Sequence, residues 1–139
     1  MILTKTRLGS IARRGFILAM LLFTTPATAH AQTSSDSLPP GVTRDMITRG
    51  KTVFTGAGVC FACHGMAAAG GLSGPSLADS VWIHNRGEYD KIVQLILIGI
   101  DAKASKSGIV MPPRGGSAIN DADVRAVGAY VWSLSRPPR

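Results

Sequence analysis

The sequence predicts an all-α fold with three main helices. Three segments repeat apolar residues at the three- and four-residue spacing of a helix face, and none alternates convincingly in the period of two expected of a strand. The stretches between them are rich in Gly, Ala, Ser and Pro and read as loops.

The first helix spans about Thr43 to Thr55. Thr43 offers an N-cap hydroxyl, Asp45 lies in the first turn, and Met46, Ile47, Gly50, Val53 and Phe54 share one face. The second begins near Asn85-x-x-Glu88 in the manner of a capping box, continues through Tyr89, Ile92, Val93 and Leu95 to Ile98, and stops at Gly99. Its last turns are apolar almost all round, so cover is expected on most sides, from protein or from a large apolar ligand. The third starts at Asn120, with Asp121 and Asp123 at its positive end, and aligns Val124, Val127, Gly128, Val131 and Leu134. A glycine inside a helix costs about 1 kcal/mol relative to alanine. One on the inner face of each terminal helix, Gly50 and Gly128, predicts that these two helices approach closely where they cross. Residues 66–80 and 101–120 read as loops.

At 139 residues, 45% of them hydrophobic and 17% charged, the chain has room for one small domain. A formal charge of +7 would point to nucleic acid or a membrane surface if the basic residues belonged to the folded part. Residues 1–31, however, hold four of the fifteen basic residues and none of the eight acidic ones, so the remainder carries +3. No nucleic-acid partner is therefore expected. Lys5, Arg7, Arg13 and Arg14 precede an apolar run from Phe16 to Phe23 and the small-residue stretch Ala27-Thr28-Ala29-His30-Ala31, the build of a secretory signal peptide. The run is shorter than the roughly 18–20 residues that span a bilayer. The expected organisation is a signal peptide over 1–31, cleaved near Ala31, a flexible Pro/Gly-rich leader over 32–42, a folded domain over 43–135 and a tail over 136–139. The mature protein is expected in the periplasm with no stable membrane span, and Arg13-Arg14 leaves both the general and the twin-arginine export routes open. Removing 31 of 139 residues leaves 108, a size that buries less surface per residue than larger domains do.

The only two cysteines lie three apart, and the second is followed by histidine: Cys60-Phe61-Ala62-Cys63-His64. This spacing is the attachment motif of c-type haem. On one helical turn positions i and i+3 face the same way, so both thiols can bond to the vinyl groups along one porphyrin edge, with His64 directed at the iron. A disulfide across three residues would constrain almost nothing. A thioredoxin-type pair would follow a strand in a βαβ unit, which is missing from the pattern. A zinc site would need His84 as fourth ligand, at a spacing that fits no common zinc motif.

From about Arg44 to Ser135 the chain resembles the class I cytochromes c of the small bacterial, monohaem type. The residues that carry the resemblance are Gly50-Lys51-x-x-Phe54, the Cys60-to-His64 motif, Gly74-Pro75-Ser76-Leu77, Met111-Pro112-Pro113 and Tyr130-Val131-Trp132-Ser133-Leu134. The resemblance implies a cytochrome c fold around one covalently bound haem c, with His64 as the proximal iron ligand and a methionine from a later loop as the distal one. Met1 and Met20 lie in the signal segment, Met46 lies in the first helix, and Met66 is too close to His64 to reach the opposite face easily, which leaves Met111. It also implies that the Pro75 carbonyl accepts a hydrogen bond from His64, and that Trp82 donates to a haem propionate. His84 is expected at the surface or beside a propionate, and Arg114 either solvated or paired with a propionate.

An iron with both axial positions filled by protein has no opening for substrate, so the implied function is electron transfer and not catalysis. The alternative is a haem c subunit of a periplasmic dehydrogenase or oxidase complex; a more distant one is a five-coordinate module that binds a gas or peroxide. The expected partners are redox proteins with acidic surfaces, met through Lys51, Lys103 and Lys106, with Lys91 facing elsewhere. The short link Ala67-Ala68-Ala69-Gly70-Gly71-Leu72-Ser73 after the haem motif departs from longer relatives.

Overall fold

A computed structural model describes residues 37–136, and the expected signal peptide, the first five leader residues and residues 137–139 lie outside the described range. Along that range run α1 (Arg44–Phe54), α2 (Phe61–His64), α3 (Tyr89–Ile98), a 3₁₀ turn at Pro113–Gly116 and α4 (Asp121–Leu134). The described residues hold no strand beyond a single antiparallel bridge between Ile100 and Met111. No described helix is long and apolar enough to cross a membrane.

The helix starts follow from local chemistry. Thr43 accepts a hydrogen bond from the Met46 amide at 3.2 Å, and Asn120 accepts one from the Asp123 amide at 2.9 Å, so each satisfies a donor that the first turn leaves unpaired. At α3 the outcome differs from the expected capping box. Asn85 accepts from the Gly87 amide and Glu88 from the Arg86 amide, both at 2.8 Å, so the two polar side chains stabilise the turn before the helix. The helix begins at Tyr89, with Glu88 as its cap residue but without a side-chain cap bond.

α1 crosses α4 at Gly50. A Cβ at this position would collide with the Ala126 carbonyl and come within 2.8 Å of the Tyr130 Cβ, so only glycine lets the two backbones approach this far. On either side of the crossing, Phe54 meets Tyr130 edge to face with ring centroids 5.4 Å apart, and Arg49 donates through Nε and Nη2 to one carboxylate oxygen of Asp123. Gly128 plays a different part from the one expected. Its missing side chain makes room for Val93 and Tyr89 of α3, which would stand 2.6 and 3.5 Å from a Cβ there. The two glycines therefore serve two separate helix contacts of α4. Phe54, Val124 and Val127 are fully buried at the centre.

Gly50→Ala should destabilise the folded protein by about 2 kcal/mol or more, because the obstructing atoms are backbone and cannot rotate away. A thermal melt should show the midpoint falling by roughly 8–16 °C, at about 4–8 °C per kcal/mol for a domain this size.

Both ends of the described range pack onto the domain. In the leader, Val42 is buried, Leu38 packs against the core and the Val42 amide donates to the Pro39 carbonyl at 3.0 Å. In the tail, Arg136 lies 3.8 Å from the Trp132 ring centroid and also donates to the Trp132 carbonyl. Apolar or planar neighbours capture these residues despite adjacent prolines and glycines.

Candidate functional site

The segment after α1 turns sharply to present the two cysteines. The Gly58 amide donates to the Val53 carbonyl at 2.8 Å, and Val59 is held in the left-handed region at φ 52°, an unusual conformation for a β-branched residue. The single turn of α2 then places Cys60 and Cys63 on the wall of one pocket, both as half-buried free thiols. The Cys60 thiol lies 3.3 Å from the Gly58 carbonyl. Burial pushes its pKa up, its own backbone opposes the rise in part, and the neighbouring Cys63 adds to it.

His64 is 8% exposed, and its Nδ1 lies 2.9 Å from the Pro75 carbonyl oxygen. A carbonyl can only accept, so Nδ1 carries the proton and the lone pair is left on Nε2. Gly74 makes this placement possible, since a Cβ there would lie 3.1 Å from the imidazole. Pro75 thus meets His64 across the loop that follows the cysteine motif.

Met111 is fixed from the other side. Its amide donates to the Ile100 carbonyl at 2.9 Å and its carbonyl accepts from the Ile100 amide at 2.8 Å, which ties its backbone to the end of α3. Gly99, at φ 74°, lets this happen: a Cβ there would collide with the Met111 carbonyl and stand 2.8 Å from the Pro113 nitrogen. The sequence marks Gly99 as a helix stop, but its close approach to Met111 depends on residues twelve positions on and has no local signature.

Cys60, Cys63, His64 and Met111 all line the same pocket. It holds about 1410 Å³ of atom-free space, counted out to its open mouth. Phe54, Ile92, Ile96, Val127 and Val131 form its floor, so α3 meets α4 through Val93 and the pocket through Ile92, Leu95 and Ile96, whereas Ile98 in its last turn, where cover was expected, is 63% exposed. Two thiols at i and i+3, an imidazole with an available Nε2 and a thioether in an apolar cleft make up a donor set that fits a covalently held porphyrin and its iron.

The remaining candidates fall into place around it. Trp82 lines the pocket half-buried, its indole packed on Gly87, where a Cβ would come within 2.6 Å of the ring. His84 is exposed at the pocket wall. Met66 is 62% exposed and, like Met46, does not line the pocket. Lys106 reaches the pocket, whereas the exposed Lys51, Lys91 and Lys103 do not line it. Arg114 departs from both of its expected roles: it donates to the Ile119 carbonyl at 2.9 Å and to Asp121 at 2.6 Å, at the start of α4.

The Arg114 hydrogen bond, and after it the Arg114 charge, hold the Asp121 carboxyl below the usual carboxylate range. A folded pKa below the unfolded one means that Asp121 adds stability above the unfolded pKa and loses it as pH falls through the folded value. Asp121→Asn should therefore reduce the slope of unfolding free energy against pH on the acid limb, below about pH 4, in denaturant titrations.

A family profile for cytochrome c matches residues 47–135. The chain is 36% identical over 81 residues to the Cbb3-type cytochrome c oxidase subunit FixPc of Rhizobium leguminosarum bv. viciae, an alignment covering 57% of this chain and 28% of that protein. It is 37% identical over 79 residues to the corresponding subunit CcoP of Rubrivivax gelatinosus, covering 57% and 23%. With FixP of Bradyrhizobium sp. (strain ORS 278) the values are 35% over 92 residues, 65% and 31%. The chain thus spans less than a third of the length of these relatives. Among solved structures, cytochrome CL of Methylophaga aminisulfidivorans MPT is 23% identical, with a TM-score of 0.48, covering 66% of this chain and 55% of that one. The helices, the pocket and the matched profile together make this chain a member of the cytochrome c family, an all-α domain built to hold haem c covalently.

Proposed function

We propose that this chain is a periplasmic electron carrier with one haem c. In this reading Cys60 and Cys63 would attach the porphyrin, and His64 through Nε2 and Met111 through its thioether would ligate the iron. The observation that carries it is the convergence of these four side chains on one apolar pocket, from α2 and from a loop far away in sequence. When bound, the haem supplies a one-electron ferric–ferrous couple. The residues do the rest: the Pro75 carbonyl orients the imidazole and makes it a better donor, Met111 favours the ferrous state, and Phe54, Ile92 and Val127 keep water away. In the same reading Trp82, half-buried at the pocket wall, would donate its indole N–H to a propionate. Export by the predicted signal peptide, with cleavage near Ala31, brings the chain to the compartment where the domain works.

The relatives' names favour a second reading, in which the domain is a haem c subunit held permanently in an oxidase complex. The two readings differ in how partners are met. A diffusing carrier benefits from steering by charge, for which Lys106 at the pocket and Lys103 nearby are the candidates toward an acidic redox protein. Electron-transfer rates with such a partner should then fall as salt rises to physiological strength, where the Debye length is about 8 Å. Replacing Lys103 and Lys106 with Glu should slow the low-salt rate and flatten that dependence. Rates indifferent to salt and to charge reversal would favour the bound subunit, which should also co-elute with oxidase activity on native size exclusion.

A further inference from the structure

Three residues beyond Met111 the chain reverses through Arg114, Gly115 and Gly116, all left-handed, with φ of 55°, 67° and 78°. Glycine takes this conformation freely and arginine does not, so the backbone alone would favour glycine at position 114 as well. What the arginine adds is its side chain. Nη1 donates to the Ile119 carbonyl and Nη2 to Asp121, while the Arg114 carbonyl accepts from the Ser117 hydroxyl at 2.7 Å. The turn is thereby fastened to the first residues of α4. Gly115 lies against the approach to the cysteine motif, where a Cβ would stand 3.0 Å from the Gly58 carbonyl. Met111 is thus held before by the Ile100 bridge and after by this turn.

We propose that Arg114 is a positioning residue for Met111: by clamping the 112–116 turn to the start of α4, its guanidinium keeps the thioether in place over the iron. The proposal rests on the reading of Met111 as axial ligand. If Met111 is to leave, the loop must swing out between its two anchors, and the clamp opposes that motion without touching the iron itself. Arg114 acts through the loop, so its loss changes how often the axial position opens and leaves the identity of the ligand unchanged.

Imidazole, which competes with Met111 for the axial position, tests this on the oxidised holoprotein. Its binding is followed by loss of the thioether–iron charge-transfer band. Arg114→Asn tolerates the left-handed turn and removes the clamp, and Arg114→Gly, which adds backbone freedom as well, should show the same direction of change; the Asn variant carries the test. It should retain the band but bind imidazole about three- to tenfold more tightly, because the half-exposed ion pair contributes little and only part of the charged hydrogen bond reaches Met111 through the loop. Asp121→Asn keeps an acceptor oxygen and should shift the affinity less. Gly50→Ala is the control, because it loosens the fold at the α1–α4 crossing, away from the loop. Wild-type imidazole affinity in Arg114→Asn would overturn the proposal. So would an equal gain in Gly50→Ala, since Arg114 would then act only through general stability. A band that survives Met111→Ala would instead overturn the axial assignment on which the proposal stands.

Discussion

Met111→Ala should leave the haem covalently attached, abolish the thioether–iron charge-transfer band and lower the reduction potential by roughly 0.2 V, a fraction of the range that axial ligands span across haem proteins. The thioether is a soft donor that favours ferrous over ferric iron, and water or hydroxide in its place favours the ferric state. The variant should also bind cyanide or imidazole readily. Met66→Ala provides the internal control, because Met66 is 62% exposed and away from the pocket, and it should behave as wild type in all three respects. Loss of the band with Met66→Ala and its survival with Met111→Ala would reverse the assignment.

Chain produced without haem, as with Cys60 and Cys63 both replaced by Ala, should not fold cooperatively. Val59, Val81, Ile83, Ile109 and Val110 line the pocket and are 40–66% exposed, so much of its apolar wall depends on what covers the pocket. Each large apolar side chain left facing water forfeits about 1.5–3 kcal/mol, and a small domain has only about 5–15 kcal/mol of stability in total. Leaving three of them uncovered forfeits about 4.5–9 kcal/mol, comparable with the lower part of that range. Far-UV circular dichroism should show much reduced helicity, and the melt should lose its sigmoidal shape. A haem-free chain with full helicity and a sharp melt would mean that α1, α3 and α4 suffice on their own.

How much of this was legible beforehand depended on how local the cause was. Thr43 and Asn120 cap the helices that follow them because an N-cap is decided within three residues. Asn85 and Glu88 misled for the same reason: their side chains had nearer amides to satisfy, and they closed a turn where a capping box was expected. The haem motif is likewise local, since two thiols and an imidazole within five residues define their own chemistry. Gly128, Gly99 and Arg114 were another matter. Periodicity placed Gly128 on an inner face without saying which helix it would meet, and it met α3. Gly99 was readable as a helix stop, but not as the space into which the Met111 carbonyl fits. Arg114 looked like a solvated or propionate-facing cation because its actual partners, Ile119 and Asp121, become neighbours only after the turn reverses.

The central claim, that Cys60 and Cys63 hold a single haem in this domain, is tested most directly by the intact mass of the mature protein measured under denaturing conditions. The expected mass is that of the polypeptide beginning near Gln32 plus one haem, retained through acid and organic extraction because both links are covalent, and lost when both cysteines are replaced. A mass equal to the bare polypeptide, or one retaining haem in the doubly substituted chain, would contradict the account.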